Sequence, residues 1–181
     1  LARLSQMSIA NTSQHLQRLK RANLVIDESA GRNIRYYLAD PMIAHLWIQI
    51  RRVAENQLIE VEVELNRYRS HRFDFERITS EEVREGLRQD RILLIDSRPE
   101  EEYRAGHLPG AVSFPVDTLA RRIDEIPTGK VLVTYCRGPY CVDADEASMI
   151  LSAYGYPVRR LEDGIAEWQL GGLEIEKPER E

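Results

Sequence analysis

The sequence predicts an α/β protein in two parts: a mostly helical N-terminal segment carrying a β-hairpin, then an α/β domain with a central, mainly parallel sheet. Three observations predict it. In residues 77–176 apolar runs such as Ile92-Leu93-Leu94-Ile95 and Val131-Leu132-Val133 alternate with helical stretches, the order of βα units whose strands are covered on both faces. Residues 1–37 instead hold helix-like stretches followed by a single hairpin signature. The charge also changes sign: residues 1–37 carry six Lys/Arg against two acids, net +4, and residues 71–181 carry 15 basic and 23 acidic side chains, net −8. The overall charge of −5 hides this asymmetry, and a basic segment on an acidic protein points to contact with a polyanion.

Residues 1–7 read as the end of one helix, and Ser8 is placed to cap a second over 9–22. In that helix Thr12, Leu16 and Leu19 recur at helical spacing and are expected to face inward, which leaves Asn11, Ser13, Gln14, Gln17, Arg18 and Arg21 outside. Asn23 suits a left-handed cap. Beyond it, Leu24-Val25-Ile26-Asp27-Glu28 and Ile34-Arg35-Tyr36-Tyr37-Leu38 flank Ser29-Ala30-Gly31-Arg32-Asn33, a hairpin with a basic tip. Helix, turn, polar-faced helix and basic hairpin make a winged helix-turn-helix.

The run from Ser13 to Val25, with Gly31-Arg32 and Tyr36-Tyr37-Leu38 after it, resembles the ArsR-type bacterial repressors, with Asn23 where that family usually has glycine. The resemblance implies a DNA-binding domain over 1–69, with further helices expected before Leu1. It implies that Asn11, Ser13, Gln14 and Gln17 meet base edges of double-stranded operator DNA while Arg18, Arg21 and Arg32 meet phosphates. His15 lies beside the buried stripe, where packing and DNA contact are both open. Residues 41–69 read as one long helix with Ile43, Leu46, Trp47, Ile50, Val53, Leu58, Val61 and Leu65 on an apolar face. In the resembled family the matching helix forms a two-fold interface, so a homodimer is expected. Packing on the chain's own second domain is the alternative.

Residues 70–76 are a polar connector. After it Ser80 is expected to cap a helix over 81–89. Residues 92–96 and 130–135 are expected as strands, 116–126 and 143–154 as helices, and 177–181 as a tail.

Both cysteines fall in Tyr135-Cys136-Arg137-Gly138-Pro139-Tyr140-Cys141, where a β-branched strand runs into a loop ahead of a helix. Backbone amides and a helix N-terminus favour an anion. Positive potential lowers a thiol's pKa, and Arg137 adds a fixed charge. The plain alternative is a small buried cysteine at a strand end. Cys141, separated from Cys136 by four residues, is read two ways: its thiol packs inward at the helix start, or it attacks a persulfide on Cys136 to give a disulfide or a sulfur-bridged pair.

Ile95-Asp96-Ser97-Arg98, Glu102 to Ala111 with Gly106-His107-Leu108-Pro109-Gly110, Cys136 after its strand, and Asp163-Gly164-Ile165-Ala166-Glu167-Trp168 come in that order. Together they resemble a rhodanese domain over 77–176. The resemblance implies covalent sulfur transfer: the Cys136 thiolate takes sulfur from a small donor such as thiosulfate or a low-molecular-weight persulfide and holds it as Cys–S–SH. Arg137 would attract the donor, and the loop Gly138, Pro139, Tyr140 and Cys141 would cradle the persulfide. Asp96 and Arg98 are expected to pair and pin neighbouring loops, with His107 in support, and Trp168 to be core. The loop departs from the common Cys-Arg-x-Gly-x-Arg form: Gly138 comes one place early and Cys141 stands where a basic residue is usual. That weakens thiosulfate turnover. Val142 at the sixth position after the cysteine weakens a phosphatase reading.

Two cysteines make no disulfide scaffold and no four-thiolate zinc site, and His15, His45, His71 and His107 add no ligand spacing. His45 has no histidine or acid at i+3 or i+4, and residues 1–7 hold no cysteine, against classical metal sensing. No metal or cofactor is expected. No apolar run approaches the ~20 residues of a membrane span, so no membrane and a cytoplasmic location are expected. The functional expectation is a DNA-binding transcriptional regulator that senses or processes reactive sulfur. Two alternatives stand beside it: a sulfurtransferase with the winged helix as a targeting or dimerisation module, and a binding protein with Cys136 chemically idle.

Overall fold

The computed structural model describes residues 1–2, 5–31, 33–57, 63 and 75–177. The chain divides into two compact units, Leu1–Val53 and Ala54–Glu181.

In the first unit, helix α1 spans Ile9–Arg21. Ser8 caps it as expected, its side chain accepting from the Asn11 N–H at 3.2 Å, a device that contributes about 1 kcal/mol. Thr12 is buried and its hydroxyl donates to the Ser8 carbonyl at 3.0 Å. Leu16 is half-buried. Leu19, expected inward, is 39% exposed: it sits in the last turn, beside the chain reversal, where less of the unit covers it. That reversal uses Asn23 at φ +55°, and the Leu24 N–H returns to the Leu19 carbonyl at 3.0 Å, closing the helix end.

Strands β1 (Val25–Ala30) and β2 (Asn33–Leu38) pair antiparallel with Ala30 opposite Asn33. The turn is therefore two residues rather than the five-residue tip expected, with Gly31 at φ +62° as tight hairpin turns require. Helix α2 spans Pro41–Gln57 and starts where Asp40 accepts from the Met42 N–H at 2.7 Å. Ile48 is buried, while Leu46, Trp47, Ile50 and Val53 are exposed, Trp47 by 64%. Arg32, Leu58, Val61, Leu65, residues 70–74 of the connector and residues 178–181 lie outside the described residues.

The second unit holds a sheet of β3 (Arg77–Ile78), β4 (Ile92–Asp96), β5 (Ala111–Ser113), β6 (Val131–Tyr135) and β7 (Val158–Leu161) in the order β3-β7-β6-β4-β5, every pairing parallel. Alternate residues serve opposite faces. Leu94 and Val133 join Ile78, Val83, Leu108, Leu161 and Trp168 in one core. Ile95 and Leu132 join Phe114, Leu119, Ile123, Ala147 and Leu151 in the other. Covering both faces explains why these strands read as unbroken apolar runs.

Helix α3 (Ser80–Arg88) is capped by Thr79, one place before the Ser80 expected. Thr79 wins because Glu82 lies three residues beyond it and completes a capping box, accepting from the Thr79 N–H at 2.8 Å. Helix α4 spans Glu100–Ala105 and α5 Val116–Leu119. The stretch expected as one helix over 116–126 tightens after α5 into a 3₁₀ helix, Ala120–Glu125, where Arg122 reaches back to the Ser113 carbonyl at 3.1 Å. Helix α6 (Val142–Ala153) and α7 (Ile165–Leu170) complete the unit. Among the described residues no helix is long and apolar enough to cross a membrane.

Candidate functional site

The loop that follows β6 leaves the middle of the sheet at the C-terminal ends of its strands, the edge at which open parallel sheets hold ligands. Cys136 is the first residue past that strand and is 1% exposed. Its position is fixed from behind by Tyr135, whose hydroxyl donates to the Asp96 carboxylate and accepts from the Leu108 N–H at 3.1 Å. Asp96 also accepts from Arg98, through Nε at 2.9 Å, Nη2 at 2.6 Å and the backbone N–H at 3.0 Å, and Arg98 Nη2 donates onward to the Gly106 carbonyl at 2.8 Å. Burial, and then the negative charge of Asp96, push the Tyr135 phenol far above its ordinary value, so it remains a donor. Asp96 and Arg98 thus form the expected pair, and they pin the loops after β4 and before β5.

His107 belongs to the same scaffold. Its ring stacks on Tyr103 with centroids 3.8 Å apart, and its Nδ1 lies 3.0 Å from the Tyr103 carbonyl. Its backbone forms a bridge with Glu176, which ties down the end of the domain.

Within the loop the sulfurs of Cys136 and Cys141 are joined in a disulfide, with Cα atoms 6.1 Å apart. Gly138 turns the chain at φ +155°, a conformation that favours glycine. The Cys141 N–H donates to the Gly138 carbonyl at 3.2 Å, so this amide closes a turn instead of pointing at a bound anion. Cys141 is also the N-cap residue of α6. Of the two positions open for it in the sequence, the structure has it bonded to Cys136.

Arg137 does not stand as an unopposed positive charge. Its Nη2 lies 2.6 Å from Glu102 and its Nη1 2.8 Å from Asp143, while the same Nη1 is 3.8 Å from the Cys136 sulfur and 3.7 Å from that of Cys141. Burial works against the guanidinium's charge, but Glu102 first and Asp143 next more than offset it and hold its pKa above the ordinary value. Asp143 and Asp145 also occupy the first turn of α6, where they already complement the helix dipole. Cys136, Cys141 and Asp143 have ligand atoms within 4.8 Å of one another, a metal-ligating set in composition. The disulfide and the adjacent Arg137 charge both oppose a cation there.

Two supports hold the loop from below. Arg160 on β7 is buried, pairs with buried Asp145, and extends Nη2 to the carbonyls of Cys141 at 3.2 Å and Pro139 at 3.4 Å. Gly164, after β7, comes so close to the loop that a Cβ there would lie 2.2 Å from the Arg137 carbonyl carbon and 2.5 Å from the Gly138 nitrogen. Glu167 accepts from the Gly164 N–H at 3.0 Å, and its carboxylate sits against Gly138.

This arrangement, a cysteine loop at the end of the central strand braced by the loops of both neighbouring strands, coincides with the match of residues 79–170 to the rhodanese-like domain. The chain belongs to the rhodanese-like family. It is 36% identical over 177 residues to the HTH-type transcriptional regulator Rv0324 of Mycobacterium tuberculosis, spanning 98% of this chain and 77% of that protein. It is 35% identical over 89 residues to a sulfurtransferase of Allochromatium vinosum, spanning 49% of this chain and 81% of that protein. Among solved structures, the BH2092 protein of Bacillus halodurans superposes with a TM-score of 0.53 at 27% identity, covering 56% of this chain and 77% of that chain.

The rhodanese-like domain brings together Cys136, Arg137, Gly138, Pro139, Tyr140 and Cys141 as one loop, with Asp96 and Arg98 behind it. Trp168 is core, its indole N–H donating to the Glu174 carbonyl at 2.9 Å. From the sequence no site role is expected for Glu102, Asp143, Asp145 or Arg160. The signal for Asp143 and Asp145 was available as two acids opening a helix; Glu102 and Arg160 become legible only once the strand order is known. In the first unit Asn11, Ser13, Gln14, Gln17, Arg18 and Arg21 all lie exposed on α1, and so does His15.

Proposed function

We infer that this protein is a DNA-binding transcriptional regulator whose rhodanese-like domain carries sulfur as a persulfide on Cys136. What carries the reading is Cys136 itself, buried at the end of the central strand of a rhodanese-like domain within a chain similar along 98% of its length to an HTH-type regulator. Residues 1–69 act as an ArsR-like winged helix-turn-helix, residues 70–76 as the linker and 77–176 as the sulfur-handling domain. Asn11, Ser13, Gln14 and Gln17 read base edges of operator DNA. Arg18, Arg21 and Arg32 contact phosphates. The exposed Leu46, Trp47, Ile50 and Val53 of α2 support a homodimer through the segment 41–69, which would present two recognition helices to successive major grooves. The protein works in the cytoplasm.

The carboxylates around Arg137 bear on the donor. Glu102 and Asp143 neutralise the one cation beside the sulfurs among the described residues, so a doubly charged donor such as thiosulfate meets little net attraction. A low-molecular-weight thiol persulfide fits the site better. Simple sulfur transfer, with the winged helix as a targeting module, is the rival, supported by the sulfurtransferase relative.

The test is DNA binding at one fixed salt concentration. Duplexes recovered by the protein from a random-sequence pool serve as probe. The regulator reading expects an affinity change on treatment with a thiol persulfide that is absent from Cys136→Ser. Unchanged affinity, with sulfur bound to Cys136, leaves the sulfurtransferase reading.

A further inference from the structure

We propose that Cys141 is a resolving cysteine, so that the rhodanese-like domain is a persulfide reductase that releases the carried sulfur as sulfide. The proposal rests on Cys136 as the persulfide carrier and adds the fate of the sulfur. Its basis is the loop. The backbone turn at Gly138 and the Cys141 N–H to Gly138 carbonyl bond bring Cα atoms five positions apart to 6.1 Å, within the Cα separations that disulfides bridge. Arg160 holds the carbonyls of Pro139 and Cys141 from the neighbouring strand, so the second sulfur is kept over the first by the sheet. Arg137 Nη1 lies 3.8 and 3.7 Å from the two sulfurs, close enough to offset charge on whichever sulfur carries it. A purely transferring loop needs access to the outer sulfur of the persulfide. This one brings a thiol to the inner sulfur.

The chemistry balances in three steps. The Cys136 thiolate attacks the outer sulfur of a thiol persulfide, R–S–SH, and displaces the thiolate RS⁻, leaving Cys136–S–SH. The Cys141 thiolate then attacks the inner sulfur, Sγ of Cys136; the S–S bond of the persulfide breaks, HS⁻ leaves with its electron pair, and the Cys136–Cys141 disulfide forms. An external dithiol finally reduces that disulfide by two electrons, returning both thiols and leaving as its own disulfide. The net reaction reduces R–S–SH to R–SH and sulfide at the expense of one dithiol, and the chain alternates between dithiol and disulfide.

The experiment uses the full chain, reduced and freed of reductant, then given one equivalent of a glutathione persulfide probe, with intact mass and released sulfide both measured. Wild type is expected to finish two hydrogens lighter than its reduced form, with one sulfide released per chain. Cys141→Ser, and separately Cys141→Ala, are expected to gain one sulfur atom and release none. Wild type that keeps the added sulfur with Cys141 still alkylatable would overturn the resolving role and leave the carrier role intact. If wild type and both Cys141 variants take up no sulfur, the carrier reading itself falls, and this proposal with it. Disulfide formation without sulfide in step with it assigns the bond to ordinary oxidation and also overturns the proposal.

Discussion

Arg160 donates to the carbonyl oxygen of Cys141 at 3.2 Å while its own charge is met by Asp145, both side chains being buried. The loop that holds the two sulfurs is thereby fastened to β7. Removing one member of a buried pair strands the other's charge, at a cost of about 3–5 kcal/mol. Arg160→Leu is expected to lower the urea midpoint by that order and to slow sulfur uptake. Arg160→Leu with Asp145→Leu recovers most of the stability but not the uptake, since the loop carbonyls remain unheld. Unfolding curves and uptake rates on the two variants check both halves.

Asp143 tests the account of donor choice. Its carboxylate takes up Arg137 beside the sulfurs, and two unit charges at ~4 Å exchange about 4 kcal/mol at an effective dielectric near 20. Asp143→Asn is expected to raise the rate with thiosulfate on the order of tenfold, a fraction of that limit, while changing the rate with a neutral persulfide much less. Equal changes for both donors would remove the electrostatic explanation.

Gly164→Ala probes the close approach behind the loop. A Cβ 2.2 Å from the Arg137 carbonyl carbon cannot be accommodated without moving backbone, and such overpacking costs about 1–3 kcal/mol. The expected result is a folded protein of lower thermal midpoint that takes up sulfur poorly. Normal uptake at normal stability contradicts this placement of the loop.

Tyr135 gives a pH dependence with a definite sign. Its phenol is held above its ordinary value by burial and by Asp96. A raised folded-state value contributes stability that is fully present below the unfolded pKa of ~10 and is lost as the pH rises above it. Wild-type stability should therefore fall more steeply above pH ~10 than that of Tyr135→Phe. The variant itself should be weaker at neutral pH by about 1–3 kcal/mol, because the Leu108 N–H and the Asp96 carboxylate each lose a partner. Urea midpoints on either side of pH ~10 read both effects.

These particulars mark how far the sequence could be read. Cys136 at a strand end, the Asp96–Arg98 pair and the buried strands were legible because each rests on local pattern: β-branched runs, short-range charge pairing, glycine at turns. The capping residue was misassigned by one position because Thr79 and Ser80 both cap well, and only the Glu82 side chain decides between them. Leu19 followed helical spacing yet lies exposed, since spacing reports which face a residue is on and not what covers that face. Glu102, 35 positions from its partner Arg137, and Arg160, in a short strand that the local pattern does not single out, depend on strand order. Pattern alone does not give that order. The same limit hid the pairing of Arg137 with Glu102 and Asp143.

The exposed face of α1 carries its own test. Replacing Arg18 or Arg21 with alanine is expected to weaken binding to all duplexes alike and to reduce the salt slope by roughly one per residue. Gln14→Ala is expected instead to relax preference at a base position, at about 1–3 kcal/mol. Competition titrations across a salt series separate the two.

The central claim, that sulfur is carried on Cys136, is tested most directly by peptide-resolved mass measurement on Cys141→Ser after reduction and exposure to a thiol persulfide. The account predicts one added sulfur atom, located on the peptide that holds Cys136. No added sulfur, or the same gain when Cys136→Ser is introduced alongside, would contradict it.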